Sequence, residues 1–211
     1  MNLKPILRWA AFALVASALL TLGGLLLRGA LITDLTDPLS FANSVSSKNN
    51  LIAETFLPWS LVLQLFGFLG LYAYLNQTEF QKITFWGMVF SILGNGLFLP
   101  FAGVFAFAVP IAGKLYLDGN TDALQVAALT LAPGVGFAYL IASAFALTAG
   151  SALFALSMWK HGLPRWLALI YFIQAFALSF GASTHYGFEL SGGILLTVFS
   201  LNIGAKMWKE D

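Results

Sequence analysis

The sequence predicts an all-α polytopic membrane protein, a bundle of six transmembrane helices with one or two short helices at the outer surface. Only 9% of its 211 residues are charged and 59% are hydrophobic, whereas a soluble domain carries about 25% charged residues. The apolar residues also occur in stretches of about 20, the length that crosses the hydrocarbon core of a bilayer. We therefore expect one transmembrane domain that covers residues 1–211.

Charge and cysteine content exclude several other classes of protein. The formal net charge is +1, and the chain contains no cysteine. It therefore offers no basic surface for nucleic acid, no disulfide framework, no thiolate metal site and no catalytic cysteine. The expected partner is the lipid bilayer, with a membrane protein or a lipophilic small molecule as a second candidate, and we predict no cofactor.

The first span begins after a basic N-terminus. Lys4 and Arg8 precede an uncharged run of 19 residues, Trp9 to Leu27, and Arg28 follows it. This run is longer than the apolar region of a secretory signal peptide, and no small-residue cleavage site follows it. We expect an uncleaved first helix.

Prolines mark several of the later boundaries. Pro100 and Pro110 are expected to kink or end the third helix, because proline lacks the backbone donor and clashes with the preceding turn. Pro133 interrupts the next apolar run, and Pro164 suits the first turn of the fifth helix. The predicted spans are 9–28, 55–75, 83–109, 135–159, 164–181 and 189–208.

The longest predicted loop, residues 29–54, is expected to hold a short outer helix. Asp37-Pro38 is typical of a helix start, with aspartate as the cap and proline at the first helical position. A second short outer helix is expected near Thr121.

Lysine and arginine placement predicts that both termini are cytoplasmic. With six spans, seven of the ten basic residues fall on the side of the N-terminus and three on the other side. Cytoplasmic loops carry such an excess. All six tryptophans fall at predicted helix ends, where amphipathic rings settle at the headgroup level.

Small residues predict where two helices pack closely. Membrane helices associate through small residues that let their backbones approach. Gly87, Ser91 and Asn95 recur on the third span, which is the expected partner of a similar stripe on the fourth. The stripe on the fourth span consists of Gly134, Ala138, Ala142, Ala146 and Gly150.

Four amides are embedded in the predicted spans: Gln64, Asn95, Gln174 and Asn202. An amide in hydrocarbon needs a hydrogen-bond partner, and an interhelical hydrogen bond supplies one. Two interpretations stay open. The amides hold helices together, or they line a polar cavity that binds a ligand.

Ionisable residues are absent from the middle of every predicted span, which disfavours a pump or a proton-coupled carrier. His161 and His185 fall on opposite sides of the membrane, so they cannot clamp one haem. His185 and Glu189 are four residues apart in an outer segment, and Glu54, Asp34 and Asp37 share that side. Imidazole and carboxylate can bind a divalent metal, although Gly187 argues against a regular helix that would align them.

Three segments carry a resemblance to a known group. They are TDPLSFANS around Asp37, LYAYL at Leu71–Leu75, and HGLPRWLAL at His161–Leu169. In the order of these features the chain resembles small bacterial six-helix membrane proteins that form a domain of unknown function. The resemblance implies a six-helix bundle in the bacterial inner membrane and no particular activity.

Three functions are compatible with the sequence. The first is a non-enzymatic membrane protein, an accessory or scaffold subunit or a binder of a lipophilic ligand. The second is a facilitative transporter of a small uncharged solute. The third is a membrane-embedded enzyme that uses the outer histidine and carboxylates.

Overall fold

The computed structural model describes residues 3–30, 36–76, 81–131, 134–181 and 185–209. All regular secondary structure in these ranges is helical, as the composition predicts. The α-helices are α1 Lys4–Arg28, α2 Pro38–Ser46, α3 Lys48–Leu75, α4 Gln81–Gly103, α5 Val109–Leu117, α6 Leu124–Leu131, α7 Val135–Lys160, α8 Arg165–Gly181 and α9 Tyr186–Lys209. A π-helical segment, Val104–Ala108, joins α4 to α5, and a 3-10 turn, Thr121–Ala123, precedes α6.

Five described helices are long and apolar enough to cross a membrane. They are α1, α3, the continuous run Gln81–Leu117, α7 and α9. The sixth apolar helix, α8, is shorter, with 17 residues. At 1.5 Å per residue it is about 26 Å long, slightly less than the hydrocarbon core of about 30 Å. The chain is therefore consistent with an integral membrane protein.

The third apolar run is longer than the predicted span 83–109, because neither of its prolines ends it. The chain stays helical from Gln81 to Leu117. Pro110 stands in the first turn of α5, which directly follows the π-helical segment. The π-helical segment lies between Pro100 and Pro110, where the regular pattern of backbone hydrogen bonds is already interrupted.

The segment after the first span contains the short helix α2. The Asp37 carboxylate accepts a hydrogen bond from the Ser40 amide at 3.2 Å, so Asp37 caps this helix. Ser47 separates α2 from α3 and caps α3 through the Asn50 amide. Helix α3 thus begins seven residues before the predicted span 55–75.

Six helices form a closed ring. Going around the ring, α1 contacts α3, then α4, α7, α8 and α9 follow, and α9 contacts α1 again. Successive members run in opposite directions. We call the two ends of the ring the Lys4 end and the Arg28 end, after the first and last residues of α1.

The Lys4 end of the ring is filled by a continuous apolar core. Its central side chains are buried and large, and they come from five of the six helices: Leu14, Leu71, Phe154, Met158, Leu167 and Phe199. Tyr171 packs on Phe199 with ring centroids 4.4 Å apart. This core ends near the middle of the helices, and the bundle is hollow beyond it.

Helices α4 and α7 approach closely at Gly150, which faces Ser91 and Gly87 of α4. A Cβ placed on Gly150 would lie 2.5 Å from Ser91 Oγ and 2.6 Å from the Ser91 amide nitrogen. The Gly87 carbonyl oxygen would be 2.9 Å away. The third span is thus the partner of the fourth at this point of the small-residue stripe.

The remainder of the stripe does not face α4, so the expected contact along its whole length is wrong. Gly134, Ala138 and Ala142 are exposed, and Ala146 is half-buried. Residues four apart on an α-helix differ by about 40° in direction, so the stripe turns away from the interface. The contact continues through Ser143 and Leu147, which lie against Gly94.

Candidate ligand-binding cavity

A cavity of about 530 Å³ occupies the Arg28 end of the ring. Each of the six ring helices contributes to its lining, and Leu14, Phe68 and Tyr171 close it where the apolar core begins. The size falls within the range of about 300–1,000 Å³ that is usual for sites of small molecules.

The walls of the cavity are mainly apolar. Three of the lining rings form a continuous row along α4 and the π-helical segment: Phe98 and Phe101 have centroids 5.8 Å apart, and Phe101 and Phe105 4.9 Å. Phe137 and Phe180 line the cavity from α7 and α8. Aromatic rings with a few polar groups are the usual lining of a site for a small organic ligand.

Three of the four predicted amides line this cavity. Asn95 is buried, and its Nδ2 donates to Gln64 Oε1 and to the Leu61 carbonyl oxygen, each at 3.1 Å. Its Oδ1 has no hydrogen-bond partner. Gln174 is also buried and lines the cavity from α8. The amides therefore link α3 to α4 and also place polar atoms around one cavity.

The fourth amide is not part of this group. Asn202 is exposed, and its Nδ2 donates to the Val198 carbonyl oxygen of its own helix at 2.8 Å. Asn202 lies in the half of α9 that forms the apolar core at the Lys4 end, on the opposite side of that helix. Its assignment to a ligand site was therefore wrong.

A buried charged cluster, which we call the Arg28 cluster, lines the cavity at the Arg28 end of the ring. Arg28 Nη2 lies 2.5 Å from Glu189 Oε2, and Arg28 Nη1 lies 3.5 Å from Glu54 Oε1. The exposed fractions of the three side chains are 12% for Arg28, 3% for Glu54 and 12% for Glu189. The cluster joins three helices of the ring at one point.

Local structure explains why these three residues meet. Arg28 is the last residue of α1, Glu54 lies in the second turn of α3, and Glu189 lies in the first turn of α9. The Tyr186 hydroxyl donates to the Leu25 carbonyl oxygen at 2.9 Å, which fixes the start of α9 against the end of α1. Gly181 permits the close approach of α8, because a Cβ there would lie 2.7 Å from Glu189 Cα.

The predicted metal pair is separated by this arrangement. His185 Nδ1 accepts a hydrogen bond from the Gly187 amide at 3.1 Å, whereas Glu189 points to Arg28. Helix α9 begins at Tyr186, so Gly187 does not interrupt it as the sequence indicated. No group of three or more metal-ligating side chains occurs within the described ranges, and Asp34 lies outside them.

Sequence reasoning missed Arg28 as a site residue, and it named Glu54 only as one of the acids on the outer side, without its pairing to Arg28. Each is the charge that bounds an apolar stretch, and such charges are ordinarily solvated. Arg28 and Glu189 are separated by 161 positions in the chain, so no spacing rule could pair them. The available signal was that Glu54 and Glu189 each lie in the first two turns of an apolar helix.

Comparisons with protein families, with curated proteins and with solved structures gave no match to this chain.

Proposed function

We propose that the protein is a non-enzymatic integral membrane protein that binds a lipophilic small molecule inside its ring of helices. The observation that carries this proposal is the cavity. Its described lining is apolar except for Gln64, Asn95, Gln174, seven hydroxyl-bearing side chains and the Arg28 cluster. A few polar groups that fix orientation within apolar walls are typical of such sites.

The proposal includes six crossings of the membrane. Helix α8 has 17 residues, at the lower limit of about 17–25 for a crossing, and it packs between α7 and α9 in the ring. Six crossings and the excess of basic residues at the Lys4 end favour cytoplasmic termini. The resemblance to bacterial six-helix proteins favours the inner membrane, with the cavity toward the external side.

Facilitated transport is the second candidate, because polar side chains line the cavity. A transport path would have to continue through the Lys4 end, where buried residues such as Leu71, Phe154 and Phe199 fill the ring. Asn202, which would extend a polar path, lies outside the ring. Binding within a cavity that is closed at one end therefore has more support than passage. The enzyme alternative has less support than either, because His185 is bonded to the Gly187 amide and Glu189 to Arg28.

Native mass spectrometry of the full chain, released gently from detergent, tests the proposal. Wild type is expected to retain a co-purified lipophilic molecule. Ala175→Phe, which places a ring in the cavity, is expected to lose it. Ala149 lies on the exposed side of α7 and does not line the cavity, so Ala149→Phe is the matched control and should retain the molecule. Equal retention by both variants would contradict a site inside the ring.

A further inference from the structure

The formal charges of the Arg28 cluster do not balance, because the cluster contains one basic and two acidic side chains. One guanidinium faces two carboxylates, and Arg28 is the only cationic side chain among the described residues that line the cavity. Glu189 holds the short contact with Arg28, whereas Glu54 lies at 3.5 Å, beyond the usual range of 2.7–3.2 Å for an N–H···O hydrogen bond. Glu54 is thus a loosely paired carboxylate that is almost wholly buried.

This imbalance discriminates between classes of ligand. A buried charge without a full partner is costly in a region of low dielectric constant. A bound anion would add a third negative group to a site with one cation. A bound cation would compensate the second carboxylate, and the cluster would then hold two charges of each sign.

We infer that the ligand is a lipophilic amine, bound in its protonated form with the ammonium group beside Glu54 and the apolar body in the cavity. This inference depends on the proposed function. The π-helical segment that carries Phe105 packs against α3, which carries Glu54, so the row of Phe98, Phe101 and Phe105 is close to the same end. Aromatic faces also attract cations.

A matched set of three probes tests the inference. 1-Adamantanamine, 1-adamantanol and 1-adamantanecarboxylate share one rigid apolar cage and differ in charge at pH 7. Binding of each is measured from the rise in unfolding temperature of the detergent-solubilised full chain as a function of concentration, because a ligand that binds only the folded state raises its stability. Ammonium chloride at the same concentrations controls for the charge alone.

We expect the amine to bind wild type at least tenfold more tightly than the alcohol, and the carboxylate to bind most weakly. Glu54→Gln keeps the shape of the side chain and removes the excess charge, so it should abolish the preference for the amine over the alcohol. Glu189→Gln also leaves one acid for one guanidinium, and it should abolish the preference in the same way. It serves as the second variant if Glu54→Gln does not fold.

The outcomes separate the inference from the proposed function. If amine and alcohol bind within twofold of each other, or the carboxylate binds best, the inference is overturned and the cavity remains a binding site. If ammonium chloride matches the effect of the amine, the site takes a small cation and the inference is also overturned. If no probe distinguishes wild type from Ala175→Phe, both ideas fail.

Discussion

Removal of the single cation from the Arg28 cluster should strongly destabilise the protein. In Arg28→Gln the guanidinium is lost, and two buried carboxylates, Glu54 and Glu189, remain without a counter-charge. Loss of one partner from a buried ion pair typically costs about 3–5 kcal/mol of unfolding free energy. The three side chains are at most 12% exposed, so solvent screening is small here.

The expected change can be read from the unfolding temperature of the purified protein in detergent. For a chain of about 200 residues, 1 kcal/mol corresponds to about 2–4 °C, so Arg28→Gln should unfold about 6–20 °C below wild type. Lys114 is an exposed cation at the same end of the ring. Lys114→Gln removes the same charge without leaving buried acids, and it should stay within about 2 °C of wild type, since surface substitutions usually change stability by less than about 0.5 kcal/mol.

A triple variant completes this test. Replacement of all three members of a buried ionic group by hydrophobic residues of similar size is often nearly neutral. Arg28→Met combined with Glu54→Leu and Glu189→Leu should therefore recover most of the stability that Arg28→Gln loses. The reasoning is refuted if Arg28→Gln is as stable as Lys114→Gln, or if the triple variant is no more stable than Arg28→Gln.

Three further predictions concern packing, the outer histidine and topology. A Cβ on Gly94 would lie 2.7 Å from the Leu147 amide nitrogen, whereas a Cβ on Gly96 meets nothing within 4 Å. In detergent unfolding, Gly94→Ala should therefore lose about 1–3 kcal/mol of unfolding free energy, and Gly96→Ala should lose none. Equal stabilities of the two variants would refute the close contact. His185→Ala removes one hydrogen bond at the start of α9 and should cost about 1 kcal/mol or less of unfolding free energy. Metal analysis should find the same bound metal in wild type and variant. Near-stoichiometric zinc that disappears in the variant would make His185 a metal ligand. Topology reporters fused after residue 46 and after residue 211 should read external and cytoplasmic respectively, and an external C-terminus would contradict six crossings.

Composition and hydropathy predicted the helical membrane architecture because they depend on local properties of the chain. The predicted starts and ends of α7, α8 and α9 lie within about three residues of those observed. The third span was predicted too short. Pro110 does not end the helical run, because it lies in the first turn of α5, directly after the π-helical segment Val104–Ala108. The sequence did not predict that segment.

The cavity was foreseen only in part. Embedded amides are rare enough that Gln64, Asn95 and Gln174 could be selected as a group, but their common location depends on the order of helices around the ring. The direction of Asn202 was not predictable without the facing helix. The same limitation applies to the small-residue stripe, where Gly150 packs on α4 and Ala142 is exposed.

The Arg28 cluster shows why charged residues at helix ends are difficult to interpret. A charge next to an apolar stretch is solvated if its helix end stands alone, and it is buried if several helix ends converge. Here the ends of α1, α3 and α9 converge. Arg28, a charge at the end of a predicted span, therefore forms buried ion pairs with Glu54 and Glu189.

Photoaffinity labelling tests the central claim, a ligand-binding cavity inside the ring, most directly. The full chain in lipid nanodiscs is irradiated with an adamantane amine that carries a diazirine, and the labelled residues are mapped by mass spectrometry. Labels should fall on cavity residues such as Phe98, Phe101 and Leu178, and excess 1-adamantanamine should suppress them. Labels spread over exposed apolar side chains such as Phe145, with no suppression by the competitor, would contradict the claim.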